Sequence, residues 1–162
     1  MQVVQERLLR GANLYSRHPC LVATIALDDA VVPLADAARA VGRYLSSPLP
    51  LSAGADAGWL VAQAALQLQR SCGHALDVVH SEALAPGSAQ RRIVIQYALE
   101  HVAQRALATA LEMVGAAMRG DDYDPAPALA ALHVLSLGLA LPPRIGELVA
   151  VSYTHLTLPT KA

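Results

Sequence analysis

Between Ala98 and Arg119 the apolar residues Leu99, Val102, Ala103, Ala106, Leu107, Ala110, Leu111, Val114 and Met118 recur at three- and four-residue spacing. That is the period of one helix face, and a stripe of this length commits the chain to a long helix with a buried side. Gly120 follows where a positive φ ends many helices, and Arg119 suits the negative end of the helix dipole. What can lie against the stripe is limited by the side chains on offer. Hydrophobic residues make up 54% of the chain, aromatics only 4%, and there is no Phe. The core must therefore be built of Ala, Leu and Val, which favours closely packed helices with small side chains at their contacts. At 162 residues, one domain with a real core is expected.

The other elements follow from local pattern. Residues 2–9 and 21–27 read as strands, the second rich in β-branched and apolar side chains and ending at Asp28-Asp29. Between them Gly11 and Asn13 tolerate positive φ, and Pro19 biases His18 away from helix, so residues 10–19 form a shaped loop. Residues 34–45 suit a short helix, 46–58 a loop, and 59–71 a helix with Leu60, Ala64 and Leu68 on one stripe. Pro86-Gly87-Ser88 is a turn and residues 93–97 a third strand. Asp124 stands as a cap with Pro125 at the first position of a last helix through roughly Leu139. The order predicts an α+β domain, a small sheet of about three strands packed with Ala/Leu-rich helices, without internal repeat.

Charge and cysteine usage exclude several classes. The formal charge is −1, and no arm or face is basic enough to track phosphates, so no nucleic-acid partner is expected. No apolar run reaches the length of a membrane span, and the start lacks the order of a secretory signal. Cys20 and Cys72 make no disulfide framework and read as reduced thiols of a cytoplasmic protein. Eleven basic residues are Arg, while the single Lys, Lys161, and three of the five Thr sit in the last dozen positions. The composition changes at Val151, where a helix through Ile145 to Ala150 is interrupted. The tail resembles a peptide left when sequencing-adapter bases are translated. Residues 1–150 are therefore expected to form the domain, and 151–162 a non-native tail that packs poorly on it.

Three clusters offer chemistry from residue type alone. Cys72, His74, His80 and Glu82 lie close in sequence, but their spacing is not one that metal sites use. His18 and Cys20 could pair as base and nucleophile, yet nothing in sequence orients the imidazole. Asp121, Asp122 and Asp124 lack the glycine and terminal Glu of a calcium loop and read as a solvated turn.

The segment Leu8-Leu9-Arg10-Gly11-Ala12-Asn13-Leu14-Tyr15-Ser16-Arg17 resembles the opening of cyanophycin synthetases, which typically read Leu-Arg-Gly-Pro-Asn-x-Trp-Ser. Ala12 stands where the family has Pro, and Tyr15 where it has Trp. The similarity extends over about residues 3–150, with the strand ending in Leu27-Asp28-Asp29, the passage from Val94 to Val114 and Asp121 to Asp124 as compatible pattern. The resemblance implies an amino-terminal domain that helps hold the growing polymer, cut off before an ATP-grasp and a Mur-ligase-like domain. Those domains would bind ATP and Mg²⁺ and add Asp and Arg to a poly-aspartate backbone, in an enzyme expected to be a homo-oligomer. No cofactor is expected in the present chain, which has no phosphate-binding loop.

Many cyanophycin synthetases also carry His-x-x-Glu-His on the central helix of their amino-terminal domain. Aligning Leu66-Gln67-Leu68-Gln69 with the family's Leu-Glu-Leu-Gln puts Trp59, Ala62 and Gln63 at those places, so no catalytic or metal-binding residue is expected there. The polymer presents carboxylate and guanidinium groups. The resemblance therefore implies Arg10 and Arg17 as forks for carboxylates and Asn13 as acceptor for guanidinium. Two other readings stand beside it. The helices 98–119 and 125–139 could serve as an interaction module without ligand, or Cys72, His74 and His80 could build a small metal hydrolase.

Overall fold

The computed structural model describes residues 1–138, in the order β1 (Gln2–Leu9), β2 (Cys20–Ala26), α1 (Leu34–Tyr44), α2 (Ala57–Ser71), β3 (Val79–Ala83), β4 (Gln90–Gln96), α3 (Glu100–Arg119) and α4 (Ala126–Ser136). The strands form one sheet in the order β1-β2-β4-β3, with every neighbouring pair antiparallel. The fold is thus α+β, with four strands rather than about three. The strand–strand–helix–helix order occurs twice, and the two hairpins meet at β2 and β4. This is a topological repetition that the residues of the two halves do not display. Leu139, the interrupted helix through Ile145 to Ala150 and the tail at 151–162 lie outside the described residues.

Helices cover one face of the sheet. Leu21, Ala23 and Ile25 of β2 and Ile93 and Ile95 of β4 enter the main core, where they meet Leu60, Ala64 and Leu68 of α2 and Val102, Ala106, Leu107, Ala110 and Val114 of α3. From Val102 to Met118 the stripe is buried as its spacing requires, while Leu99 precedes the helix as its cap and is exposed; the helix ends at Gly120 with φ 76°. Small side chains let the layers approach closely. A Cβ on Gly58 would lie 2.8 Å from Ser81 Oγ and 3.0 Å from Arg91 Cβ and Cγ, so the start of α2 rests directly on β3 and β4. Asp56 fixes that contact. Its Oδ1 accepts from the Trp59 amide at 2.8 Å and from Ser81 Oγ at 3.3 Å, and its Oδ2 accepts from Arg91 Nε at 2.6 Å. Burial alone would raise the carboxyl pKa, but the Trp59 amide, Arg91 and Ser81 outweigh it and hold Asp56 below the usual carboxylate range.

The last helix begins one residue later than its sequence pattern, with Asp124 Oδ1 accepting from the Ala126 amide at 3.1 Å. Of α4 only Leu132 is fully buried. Among the described residues no helix is long and apolar enough to cross a membrane.

Candidate functional site

The loop between β1 and β2 folds onto the sheet face that the helices leave open. One side chain determines its shape. Asn13 Nδ2 donates to the carbonyls of Gly11 and His18, both at 3.0 Å, while its Oδ1 accepts from the amides of Tyr15 at 2.9 Å and Ser16 at 3.1 Å. A carboxamide has two donors and two acceptor lone pairs, and all four are used within the loop. Asn13 is therefore the residue that shapes the loop, with no capacity left on Oδ1 for a guanidinium. Asn13 thus shapes the turn through its side chain; neither it nor Gly11 has the positive φ expected from sequence, and the expected acceptor for a guanidinium is already occupied.

Tyr15, set in place by that turn, packs with Leu9 over Cys20, Val22 and Val94, a small cluster on the open face. Its ring centroid lies 5.9 Å from that of His80 on β3. Leu14 at the tip is 99% exposed. The far end of the loop is tied down where the Tyr97 amide donates to Pro19 O at 3.0 Å.

Arg10 leaves the loop on the other side. Its Nε donates to Glu100 Oε1 at 2.6 Å and its Nη2 to Oε2 at 3.4 Å. Glu100 is the first residue of α3, where a carboxylate also complements the helix dipole. The Arg10 side chain remains 39% exposed, and its Nη1 has no partner among the described residues. The buried Tyr97 lies beside this pair. Burial first, and then the charge of Glu100, push its phenol up to about 12, so it remains protonated at neutral pH. Arg17 is exposed and has no ion pair among the described residues. Of the three sequence-derived site residues, two arginines thus flank a rigid turn and the third builds it.

The remaining candidates disperse. Cys20 is fully buried, and burial raises its pKa more than its contact with Asn13 lowers it. Its Sγ faces the carbonyl of His18 at 3.5 Å, so the arrangement is not that of an activated nucleophile. Cys72 sits at the end of α2 with its thiol 3.9 Å from Leu132 O, on the core side of the sheet. His80 and Glu82 stand on the opposite face, 3.7 Å apart. Among the described residues no three His, Cys, Asp or Glu side chains converge as metal ligands. On α2, Ala62 is fully buried, and Trp59 Nε1 donates to Pro50 O at 3.3 Å. Asp121 accepts from Arg119 Nε at 2.7 Å in the turn after α3.

Nothing in the sequence marks Glu100, Tyr97, Arg7 or Arg92 as site residues, and His80 and Glu82 stand out only within a metal-type cluster. The partnership of Arg10 with Glu100 spans ninety positions and leaves no local signal. The alternation of His80 and Glu82 with Val79, Ser81 and Ala83 was the available sign of a two-sided strand. No protein-family model matches the chain, and no curated protein matches it.

Proposed function

We propose that this chain is the amino-terminal, polymer-holding domain of a cyanophycin synthetase. The parent enzyme would be a cytoplasmic homo-oligomer that extends its polymer with ATP and Mg²⁺ at sites in further domains. The observation that carries this reading is the segment Leu8 to Arg17. The stretch most similar to the family is also the one in which a single amide, Asn13, fixes the backbone between two partly or fully exposed arginines. A preformed turn reduces the ordering cost of binding, and guanidinium forks suit the polymer's carboxylates. In this reading Arg17 and the free Nη1 edge of Arg10 contact polymer, and Asn13 positions them. The domain itself performs no chemistry.

The test is a binding titration of soluble cyanophycin segments against the native chain, Arg17→Ala and Arg10→Ala, with circular dichroism on each. A charge-assisted contact contributes roughly 1.5–3 kcal/mol, so each loss should weaken binding by about ten- to a hundredfold. If the affinity is unchanged in both folded variants, the loop is not the polymer site.

The interaction-module reading has an observation of its own. Helix α4 carries no Asp, Glu, Lys or Arg, buries only Leu132 fully, and is followed by Leu137 at 63% exposure. Sedimentation equilibrium of the native chain and Leu137→Glu separates it from the polymer reading. Concentration-dependent dimers lost in the variant would support packing of α4 against another subunit.

A further inference from the structure

The face of the sheet opposite the helices carries a second set of charges beside the loop. The strand register aligns Arg7, Val22, Val94 and His80 in one row across the four strands, and Gln5, Thr24, Arg92 and Glu82 in the next. Tyr15 and Leu9 cover the cluster at one end. The rest of the face is open, with Gln5, Arg7 and His80 exposed and Thr24, Arg92 and Glu82 half-exposed. A row spans three inter-strand gaps, about 14 Å, the length of roughly four residues of extended chain.

The charges on this face are unevenly paired. Glu82 is its one carboxylate among the described residues. It accepts from Arg92 Nη1 at 2.9 Å and faces His80 Nε2 at 3.7 Å. Arg7 has no acidic partner among the described residues. Both members of the Arg92–Glu82 pair are more than 40% exposed, and ion pairs so placed are weak and readily exchanged.

We infer that this open face, through Arg7, Arg92 and Glu82, holds a zwitterionic extended polymer laid across the strands. The inference rests on the polymer-holding reading above and adds the surface and the sign pattern that it recognises. A chain bearing one carboxylate and one guanidinium in each repeat can give its carboxylates to Arg7 and Arg92 and its guanidinium to Glu82. Arg92 and Glu82 then exchange a weak partner for an equivalent one, and Arg7 gains the acidic partner it lacks among the described residues. A pure polyanion meets Glu82 as a repulsive charge, and a pure polycation meets Arg7 and Arg92. Nucleic acid fits less well, because the face offers two arginines and one aromatic ring already set against His80.

The test titrates the native chain with a fluorescently labelled soluble cyanophycin segment and with poly-L-aspartate of equal length. It is repeated for Arg7→Glu, Arg7→Gln, Glu82→Gln and the control Arg43→Glu. Arg43 is an exposed arginine on α1, away from this face, and thermal melts identify any variant that does not fold. Arg7→Glu should weaken cyanophycin binding by roughly ten- to a hundredfold, Arg7→Gln by less, and Arg43→Glu by under about twofold. Glu82→Gln should weaken cyanophycin and strengthen poly-L-aspartate. If the native chain binds cyanophycin but Arg7→Glu and Arg7→Gln behave like Arg43→Glu, the open face is not the surface, and the loop reading stands without it. If poly-L-aspartate binds the native chain as tightly as cyanophycin, the sign matching is wrong. If the native chain binds no cyanophycin, the polymer reading falls and this inference with it.

Discussion

Replacing Asn13 by aspartate changes one NH₂ to one oxygen and nothing in shape, so it isolates what holds the loop. Oδ1 can still accept from the Tyr15 and Ser16 amides, but the two donations to Gly11 O and His18 O, each at 3.0 Å, become contacts between oxygens. Two lost hydrogen bonds at a net 0.5–1.5 kcal/mol each put the cost at roughly 1–3 kcal/mol, before the repulsion is added. Protonating the new carboxyl restores one donor, so its pKa in the folded chain should lie above the ordinary value of about 4. The sign follows from linkage. The destabilisation is full above that raised pKa and is relieved as pH falls through it. Urea unfolding of Asn13→Asp at neutral pH and at about pH 4.5 should show the deficit shrinking in acid. Opening of the loop should also uncover Cys20, which lies beneath Tyr15 and Leu9. Alkylation followed by peptide mapping should therefore find Cys20 modified faster than in the native chain. A variant within about 0.5 kcal/mol of native stability, with Cys20 equally protected, would refute the assignment of Asn13 as the residue that shapes the loop.

The contact between α2 and the sheet yields two more expectations. Asp56→Ala removes a helix cap, worth about 0.5–2 kcal/mol, and leaves the mostly buried Arg91 without its carboxylate, so urea unfolding should show roughly 2–4 kcal/mol lost. Because the Asp56 pKa is held low, this contribution is present above the ordinary carboxylate range and is lost as pH falls through the lowered value. The difference from native should therefore narrow below about pH 4. Gly58→Ala should destabilise by roughly 1–3 kcal/mol despite the better helix propensity of Ala, and Ser81→Ala in the same chain should recover part of it, as thermal melts would show.

The elements that repeat a strong local pattern were legible in the sequence. Helix α3 shows a three- and four-residue stripe and its terminal glycine, and β2 is a run of apolar and β-branched residues. Strand β3 shows only a weak alternation in the sequence. Its core-facing positions are Val79, Ser81 and Ala83, kept small because α2 approaches so closely that Gly58 nearly touches Ser81. Without large inward side chains the segment reads as a polar loop. Strand β4 starts at Gln90 rather than Ile93 because Arg91, charged yet facing the helices, is neutralised by Asp56 from a distant segment. The site follows the same division. From sequence Asn13 is expected to tolerate positive φ and to accept a guanidinium, but it shapes the loop through side-chain hydrogen bonds that are all local and that no φ preference encodes. The pairing of Arg10 with Glu100 and the rows of charge on the open face depend on strand register and on α3, which no local pattern encodes.

The central claim, that this domain holds cyanophycin, is tested most directly by isothermal titration calorimetry of the native chain with soluble cyanophycin at two salt concentrations. Saturable binding that weakens as salt rises is expected, since exposed guanidinium–carboxylate contacts are screened over a Debye length of about 10 Å at 0.1 M. No heat of binding at either salt concentration, from a chain that melts cooperatively, would contradict it.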